Sequence, residues 1–308
     1  ALLARKRTGR GDQAGGGLVP ARHVGLPSPR WLLASALASA VLVLVVPFLG
    51  SRTFHIDVSL LFIWSLATLS IVLLTGVVGQ ISVCQGVFMG LGSYGAAIAV
   101  QHGVPFFLGL IVGGLFAAFA AVIVGIPAIR LQPLELAIAT LALAFTADRF
   151  LYLYRPLVSD SISRPLVRPA ILSIDEGHIE AGHRNYIWLT ALAFILGALG
   201  VAALRRGRIG GALTALRSSE AATSAMGFSV VSVKLRGFAF AGFLAGVAGA
   251  LFAGINQVAP GNAFDFSRSM YLWSFAVMAG AGSVHGATFG GSPLTVAPVA
   301  SVPRGALA

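Results

Sequence analysis

The chain has 308 residues, of which 57 % are hydrophobic and only 10 % are charged, and its formal net charge is +11. A soluble domain carries about 25 % charged residues, so this composition excludes a soluble enzyme and predicts an integral membrane protein. The basic residues lie in short gaps between apolar runs instead of along one soluble face, which argues against nucleic-acid binding. Cys84 is the only cysteine, so an intrachain disulfide is excluded.

Eight apolar runs approach the length of a membrane-spanning helix, which needs about 20 mostly apolar residues. They lie near residues 31–49, 58–78, 83–101, 106–127, 134–154, 186–204, 237–256 and 270–290. The sequence therefore predicts an all-α fold, a polytopic transmembrane helical bundle of about eight spans. Gly76, Gly79 and Gln80 interrupt the apolar stretch before the third run, which is either a full span or a discontinuous helix.

Basic residues predict the orientation of the bundle in the cell membrane. With the N-terminus in the cytoplasm, the cytoplasmic segments carry 13 Lys and Arg residues and the external segments carry six, as the positive-inside rule requires. Both termini are then cytoplasmic. The first run could instead be the core of a signal peptide, but its continuation to Leu49 favours a retained span.

These assignments divide the chain into three parts. The predicted parts are a basic N-terminal segment (1–30), a transmembrane domain (31–291) and an atypical C-terminal tail (292–308) that resembles a truncated end. Within the transmembrane domain, an external loop is predicted at 155–185 and a long cytoplasmic loop at 205–236.

No catalytic or cofactor site can be assembled from the sequence. Gly90, Gly92 and Gly95 match the G-x-G-x-x-G dinucleotide pattern, but that pattern requires a preceding strand and an acidic residue about 20 positions later. Here the glycines lie inside an apolar run, and residues 112–116 read VGGLF. There is no G-x-x-x-x-G-K-[ST] phosphate loop, and the histidines show no metal-ligand spacing. The sequence predicts no enzyme activity, no cofactor and no metal.

A glycine-rich stretch with polar side chains follows the break between the second and third runs. Small residues at four-residue spacing let helices approach closely, and polar groups beside a broken helix shape the pathway of many transporters. Helix packing and a translocation pathway are therefore both open interpretations. The candidate residues are Gly79, Gln80, Ser82, Gln85, Gly86, Gly90, Gly92 and Tyr94.

The cytoplasmic loop contains a second pattern. Ile209, Leu213, Leu216 and Ala222 recur at near-helical spacing, which predicts a short amphipathic helix. Gly227 is a predicted helix stop, since glycine adopts the left-handed conformation at little cost. Such an element is suited to docking into a groove on another protein. The alternative is an interfacial helix whose arginines bind anionic lipid.

Three segments resemble the permease subunits of the branched-chain amino acid family of ABC importers. The first is GVVGQISVCQGVFMGLGSYGAAIAV (76–100), which is similar to that family's G-x-x-G-Q-x-S-x-G-x-x-x-F-x-G-x-G-A-Y pattern. The others are PAIRLQPLELAIATLALAF (127–145) and the loop-and-span segment at 207–253. The chain departs from the family where it becomes proline-rich after residue 291 instead of continuing into an apolar span.

The resemblance implies the partners and the coupling residues. It implies a membrane core formed with a second, related permease, together with two cytoplasmic ATP-binding subunits and an external substrate-binding protein. The residues implied to couple to the ATPases are Arg217, Glu220, Ala221, Ala222 and Gly227.

The expected function is transport of branched-chain or other small amino acids, driven by ATP hydrolysis on the partner subunits. Two alternatives remain open at this stage. One is a permease for urea, short amides or small sugars. The other is a self-sufficient channel or secondary transporter.

Overall fold

The structure is a computed structural model that describes residues 52–128, 131, 133–150, 163–169, 172, 179–218, 223–224, 226–260, 264 and 266–278. These residues form a bundle of helices and one two-stranded antiparallel sheet. The predicted first span, the basic N-terminal segment and the C-terminal tail lie outside the described residues.

The helices follow the apolar runs of the sequence. In chain order they are α1 (Arg52–Ile71), α2 (Gln85–Gln101), α3 (Phe106–Ala128), α4 (Pro133–Arg149), α5 (Ile179–Arg206), α6 (Arg208–Ser218), α7 (Val230–Asn256) and α8 (Phe266–Met278). A π-helical segment, Val72–Val78, continues α1. Strands β1 (Ser163–Pro165) and β2 (Val258–Pro260) pair in an antiparallel register that places Arg164 opposite Ala259.

Four of these helices are long and apolar enough to cross a membrane. They are Thr53–Val78, Phe106–Pro127, Gly182–Arg206 and Val230–Asn256, and they confirm the runs predicted at 58–78, 106–127, 186–204 and 237–256. Helices α4 and α8 coincide with the described parts of the runs predicted at 134–154 and 270–290. The predicted total of about eight spans stays a prediction.

Two helices begin earlier than their apolar runs. Helix α5 begins at Ile179, inside the predicted external loop, and α7 begins at Val230, inside the predicted cytoplasmic loop. At α7 the cause is a side-chain cap, because the hydroxyl of Ser229 accepts a hydrogen bond from the N–H of Ser232. This cap extends α7 into sequence that is too polar to be counted as a span.

The core of the bundle is the crossing of α2 with α3 and α7, where the backbones touch. An added Cβ at Gly249 would overlap the carbonyl oxygen of Met89, and one at Gly92 would overlap the backbone of Gly246. Gly113 of α3 lies equally close to the carbonyl oxygen of Gly92. Small residues therefore allow three helices to meet without intervening side chains.

The outer helices expose apolar side chains, as a membrane protein requires. In α3 the side chains of Leu115 and Phe119 are 58 % and 67 % exposed. Leu196 and Leu199 of α5 are exposed to a similar extent. In water such a surface would aggregate, whereas in a bilayer it faces lipid or another apolar subunit.

Substitution of Gly249 tests the helix crossing. We expect Gly249→Ala to lower the free energy of unfolding by about 1–3 kcal/mol, because the added methyl group overpacks the contact with Met89. The control is Gly211→Ala on α6, where an added Cβ meets no atom within 4 Å and alanine favours the helix. The thermal unfolding temperature of the purified protein in detergent should fall for Gly249→Ala and rise for Gly211→Ala. Equal shifts of the two variants would contradict the proposed packing.

Candidate functional site: a broken helix inside the bundle

The helix that begins as α1 ends abruptly after its π-helical segment. Gly79 has a left-handed backbone, with φ of 76°, and its N–H donates to the carbonyl oxygen of Leu74. The N–H of Gln80 donates to the same oxygen at 3.0 Å. Residues 79–84 then have no regular secondary structure, so the predicted break is present at Gly79 and Gln80, whereas Gly76 lies inside the π-helical segment.

The chain after the break runs back along α7. Val78, before the break, packs at Gly237 of α7, and Met89, after it, packs at Gly249. These two glycines are twelve residues apart, which is about 18 Å along the helix at 1.5 Å per residue. At the other end of α2, Gln101 bonds to the strand β1, which pairs with β2 just after the end of α7. Helix α2 therefore begins within the bundle and runs to its sheet-bearing end.

This geometry favours one of the two interpretations of the third apolar run. Helix α2 has 17 residues, or about 25 Å, which is less than the roughly 30 Å of a bilayer's hydrocarbon core. With the irregular residues 79–84 before it, α2 fits the discontinuous helix and not a full span.

Polar groups without partners collect at the first turn of α2. Gln85 is 1 % exposed, and neither the oxygen nor the nitrogen of its side-chain amide has a hydrogen-bond partner. The hydroxyl of Ser269, on α8, is also buried and without a partner, and it lies against Gly86. The side-chain oxygen of Gln80, in the irregular segment five residues earlier, is also buried without a partner. Each buried polar group left unpaired costs about 1–3 kcal/mol, so Gln85 and Ser269 mark the start of α2 as a candidate site.

Other polar groups hold the broken segment in place. The N–H of Val83 donates to the Thr140 hydroxyl of α4 at 3.1 Å, and that hydroxyl donates to the carbonyl oxygen of Ala137. The Ser82 hydroxyl lies 3.2 Å from the thiol of Cys84. Cys84 makes no side-chain cap to α2. The segment is thus anchored to α4, while the first turn of α2 has no capping side chain from the residue before it.

An apolar cavity of about 400 Å³ adjoins this first turn. Helices α2, α3 and α4 line it, it opens to the surface of the bundle, and Thr146 is the one polar side chain among its lining residues. These are Val87, Phe88, Leu91, Ala120, Val124, Leu143, Thr146, Ala147 and Phe150. A polar end and an apolar cavity therefore lie next to each other on α2.

The candidate pathway residues divide into two groups. Gly92 packs against the backbone of α7, and the carbonyl oxygen of Gly90 accepts a hydrogen bond from Ser93, which supports the packing interpretation for this half of α2. Tyr94 is fully buried. Gln80, Ser82, Gln85 and Gly86 lie at the break, where the unpaired polar groups support the pathway interpretation.

The predicted amphipathic helix of the cytoplasmic loop is present as α6. Leu213 and Leu216 are buried on its inner face, and α6 contacts α5, α7 and the π-helical segment. Arg217 is the last residue but one of α6. Residues 219–222, which include Glu220, Ala221 and Ala222, lie outside the described residues.

Gly227 has the left-handed backbone that the sequence predicts, with φ of 81°. Its N–H donates to the carbonyl oxygen of Ser224 at 3.0 Å, and the N–H of Phe228 donates to that of Thr223 at 3.3 Å. This pair of bonds is a Schellman motif, which ends a helical turn. The turn fixes how the loop enters α7, three residues later.

Sequence reasoning missed an arginine at the opposite end of the bundle. Arg168 is one of the six basic residues of the predicted external segments, yet it is 4 % exposed and its guanidinium donates to the carbonyl oxygens of Gly254 and Ile255. It also lies over the ring of Tyr186, 4.5 Å from its centroid. Burial lowers the pKa of Arg168. A cation on the last carbonyl groups of α7 is favourable because the C-terminus of a helix is its negative end.

Residues 58–302 match the protein family described as "Branched-chain amino acid transport system / permease component". The chain belongs to this family. With its apolar helices, membership makes it a multi-pass membrane protein of the branched-chain amino acid permease family.

Two relatives carry the same description in their names. The chain is 29 % identical over 269 residues to the high-affinity branched-chain amino acid transport system permease protein LivM of Escherichia coli (strain K12), and 27 % identical over 270 residues to that of Salmonella typhimurium (strain LT2). The alignments cover 79 % and 80 % of this chain and 63 % of each relative. The chain thus spans slightly less than two thirds of their length. No solved structure matches it.

The capping role of Arg168 can be tested against a neighbouring arginine. We expect Arg168→Met to lower the free energy of unfolding by about 2–3 kcal/mol, because it leaves buried carbonyl oxygens at the end of α7 unpaired. The control, Arg164→Met, removes a hydrogen bond to Gln101 that lies in water and should cost less than about 1 kcal/mol. Thermal unfolding in detergent measures both, and similar losses would show that Arg168 has no special role.

Proposed function

We propose that the chain is the membrane-spanning permease subunit of an ATP-driven importer of branched-chain or other small amino acids, and that it provides part of the translocation pathway. Family membership supports the transport class, and the names of the two relatives support the substrate class. The observation that carries the pathway is the break between α1 and α2, with its buried, unpaired Gln85 and Ser269.

The proposed placement is the cell membrane, with about eight spans and both termini in the cytoplasm. The arrangement of the loops supports it. Helix α6, from the predicted cytoplasmic loop, contacts the beginning of α7 and the π-helical segment, whereas β1, from the predicted external loop, pairs with β2 directly after the end of α7. The two loops thus lie at opposite ends of α7, as the positive-inside orientation requires.

The proposed partners are a second related permease, two cytoplasmic ATP-binding subunits and an external substrate-binding protein. In this assembly Arg217, Glu220, Ala221, Ala222 and Gly227 form the contact with an ATPase. The contact of α6 with the π-helical segment supports a route for the movement. That segment of seven residues ends at Val78, next to the break, so it connects a displacement of α6 to the pathway.

A permease for urea or short amides is the second candidate. The unpaired groups at the break are uncharged amides and hydroxyls, which bind neutral polar solutes as well as amino acids. Uptake measurements with radiolabelled leucine and radiolabelled urea, each with the cognate binding protein, separate the two candidates.

The turn at Gly227 provides a test of coupling with a matched control. We expect Gly227→Val to reduce ATP-driven leucine uptake strongly, because a β-branched residue is strained at φ of 81°. Gly227→Asn should retain most uptake, since asparagine tolerates this conformation. Uptake into proteoliposomes and ATP hydrolysis are measured on the complete importer.

The coupling role requires that Gly227→Val uncouples hydrolysis from uptake while the subunits remain assembled. Glu220→Lys should do the same by reversing a charge at the proposed ATPase contact. Undiminished uptake by both variants, with the ATPases still bound, would remove the coupling role from this loop.

A further inference from the structure

We propose that the first turn of α2 is the binding subsite for the carboxylate group of the transported amino acid, with the side chains of Gln85 and Ser269 as its hydrogen-bond donors. The inference rests on the proposed transport function and deepens it. The function requires only a pathway, whereas the subsite specifies which end of the substrate is bound and by which residues.

The electrostatics of the helix start favour an anion. The aligned peptide dipoles of a helix place a partial positive charge at its N-terminus, and the first N–H groups have no acceptor within the helix. In α2 the first turn contains no acidic residue, and Cys84 supplies no side-chain cap. The N–H groups of Val87 and Phe88 already bond to the carbonyl oxygen of Cys84, so the helix dipole and the side-chain donors supply the attraction.

Two buried side chains add donors at the same place. The amide nitrogen of Gln85 and the hydroxyl of Ser269 are both 1 % exposed as residues and have no partner. Ser269 comes from α8, and its hydroxyl lies directly against Gly86. The glycine at position 86 makes room for this hydroxyl, because any side chain there would overlap it. Two elements distant in the sequence thus bring unpaired polar groups to one uncapped helix start.

The position of this helix start matters as much as its polarity. Most helix N-termini lie in solvent, where water competes for the N–H groups. This one lies within the bundle, where Gln85 is buried and Met89, four residues later, packs at Gly249 of α7, and a low dielectric there strengthens the attraction. Helix N-termini placed at mid-membrane by a broken helix suit the anionic group of a substrate in the same way in other transporters.

The neighbouring groups fit the rest of an amino acid. The cavity of about 400 Å³ begins at Val87 and Phe88, one turn from Gln85, and its apolar lining suits a branched aliphatic side chain. The side-chain oxygen of Gln80 is buried without a partner and can accept a hydrogen bond from the ammonium group. An amphiphilic ligand would therefore satisfy polar groups and fill an apolar space at once.

The subsite uses dipoles and neutral donors instead of a fixed cation, which suits a transporter. A buried lysine or arginine would itself carry a desolvation cost of several kcal/mol and would hold the carboxylate after the pathway opens. Partial charges bind the anion only while its surroundings are closed and dry. Opening admits water, which weakens the interaction and releases the substrate.

The test compares leucine with leucinamide, which lacks the carboxylate. Binding of tritiated leucine is measured by scintillation proximity on the purified complex of this chain, its companion permease and the ATPases, without the binding protein. We expect leucinamide to compete at least about 10-fold less well than leucine, as loss of a hydrogen-bonded charged group predicts.

Single substitutions assign the effect to the subsite. Ser269→Ala and Gln85→Met should each weaken leucine binding by about 10-fold and leave leucinamide binding unchanged. The control is Ser93→Ala, which removes a buried hydroxyl of α2 that is already bonded to the carbonyl oxygen of Gly90; it should not alter either ligand. Size-exclusion chromatography checks that each complex assembles.

The outcomes separate the subsite from the function. If wild-type complex imports leucine with ATP but the two variants bind it normally, the subsite is wrong and the unpaired groups bind only water. Equal weakening of leucine and leucinamide would also overturn it, because that pattern indicates helix packing. If the wild type imports no leucine with ATP, the proposed function fails, and the amino-acid subsite with it.

Discussion

The interior of a bilayer offers no hydrogen-bond partner to a backbone group, and this constraint governs how the break between α1 and α2 is built. Residues 79–84 are irregular, so protein groups must replace the missing helix bonds. The carbonyl oxygen of Leu74 accepts the N–H groups of Gly79 and Gln80, and the Thr140 hydroxyl accepts that of Val83. An irregular segment at this depth can persist only because such bonds hold it inside the bundle, where Gln80, Ser82 and Cys84 are buried.

That enclosure depends on the small residues of α2, α3 and α7. Because Gly92, Gly246 and Gly249 bring backbones into contact, most of α2 is fixed by close packing and cannot shift to satisfy its own first turn. The unpaired state of Gln85 and Ser269 is therefore a consequence of rigid packing elsewhere. An unsatisfied buried group in a native structure calls for an explanation, such as a bound water or ion. Close packing of the later part of α2 holds its first turn in place, so that a ligand can supply the missing hydrogen bonds there.

The sequence predicts those features that depend on neighbouring residues. The four long helices follow from apolar length, the break from Gly79, and the left-handed turn from Gly227. The sequence could not show that the Gln85 side chain lacks a hydrogen-bond partner whereas Gly92 packs against another helix, because both residues lie in one glycine-rich stretch. Ser269 was missed because α8 brings it to α2 from far along the chain, and Arg168 because a charge in a polar loop gives no sign that it caps a helix.

In the proposed importer the break and the cytoplasmic loop are thermodynamically linked. Helix α6 packs on the π-helical segment, and π-helical turns are rare overall but frequent at functional sites. If docking of an ATPase on α6 changes the affinity at the start of α2, then a bound amino acid must change the affinity of that docking by the same factor. A subsite made of neutral donors binds the carboxylate weakly, so this change in affinity is modest. ATP hydrolysis on the partner subunits, and not substrate binding alone, therefore has to supply the free energy that empties the site.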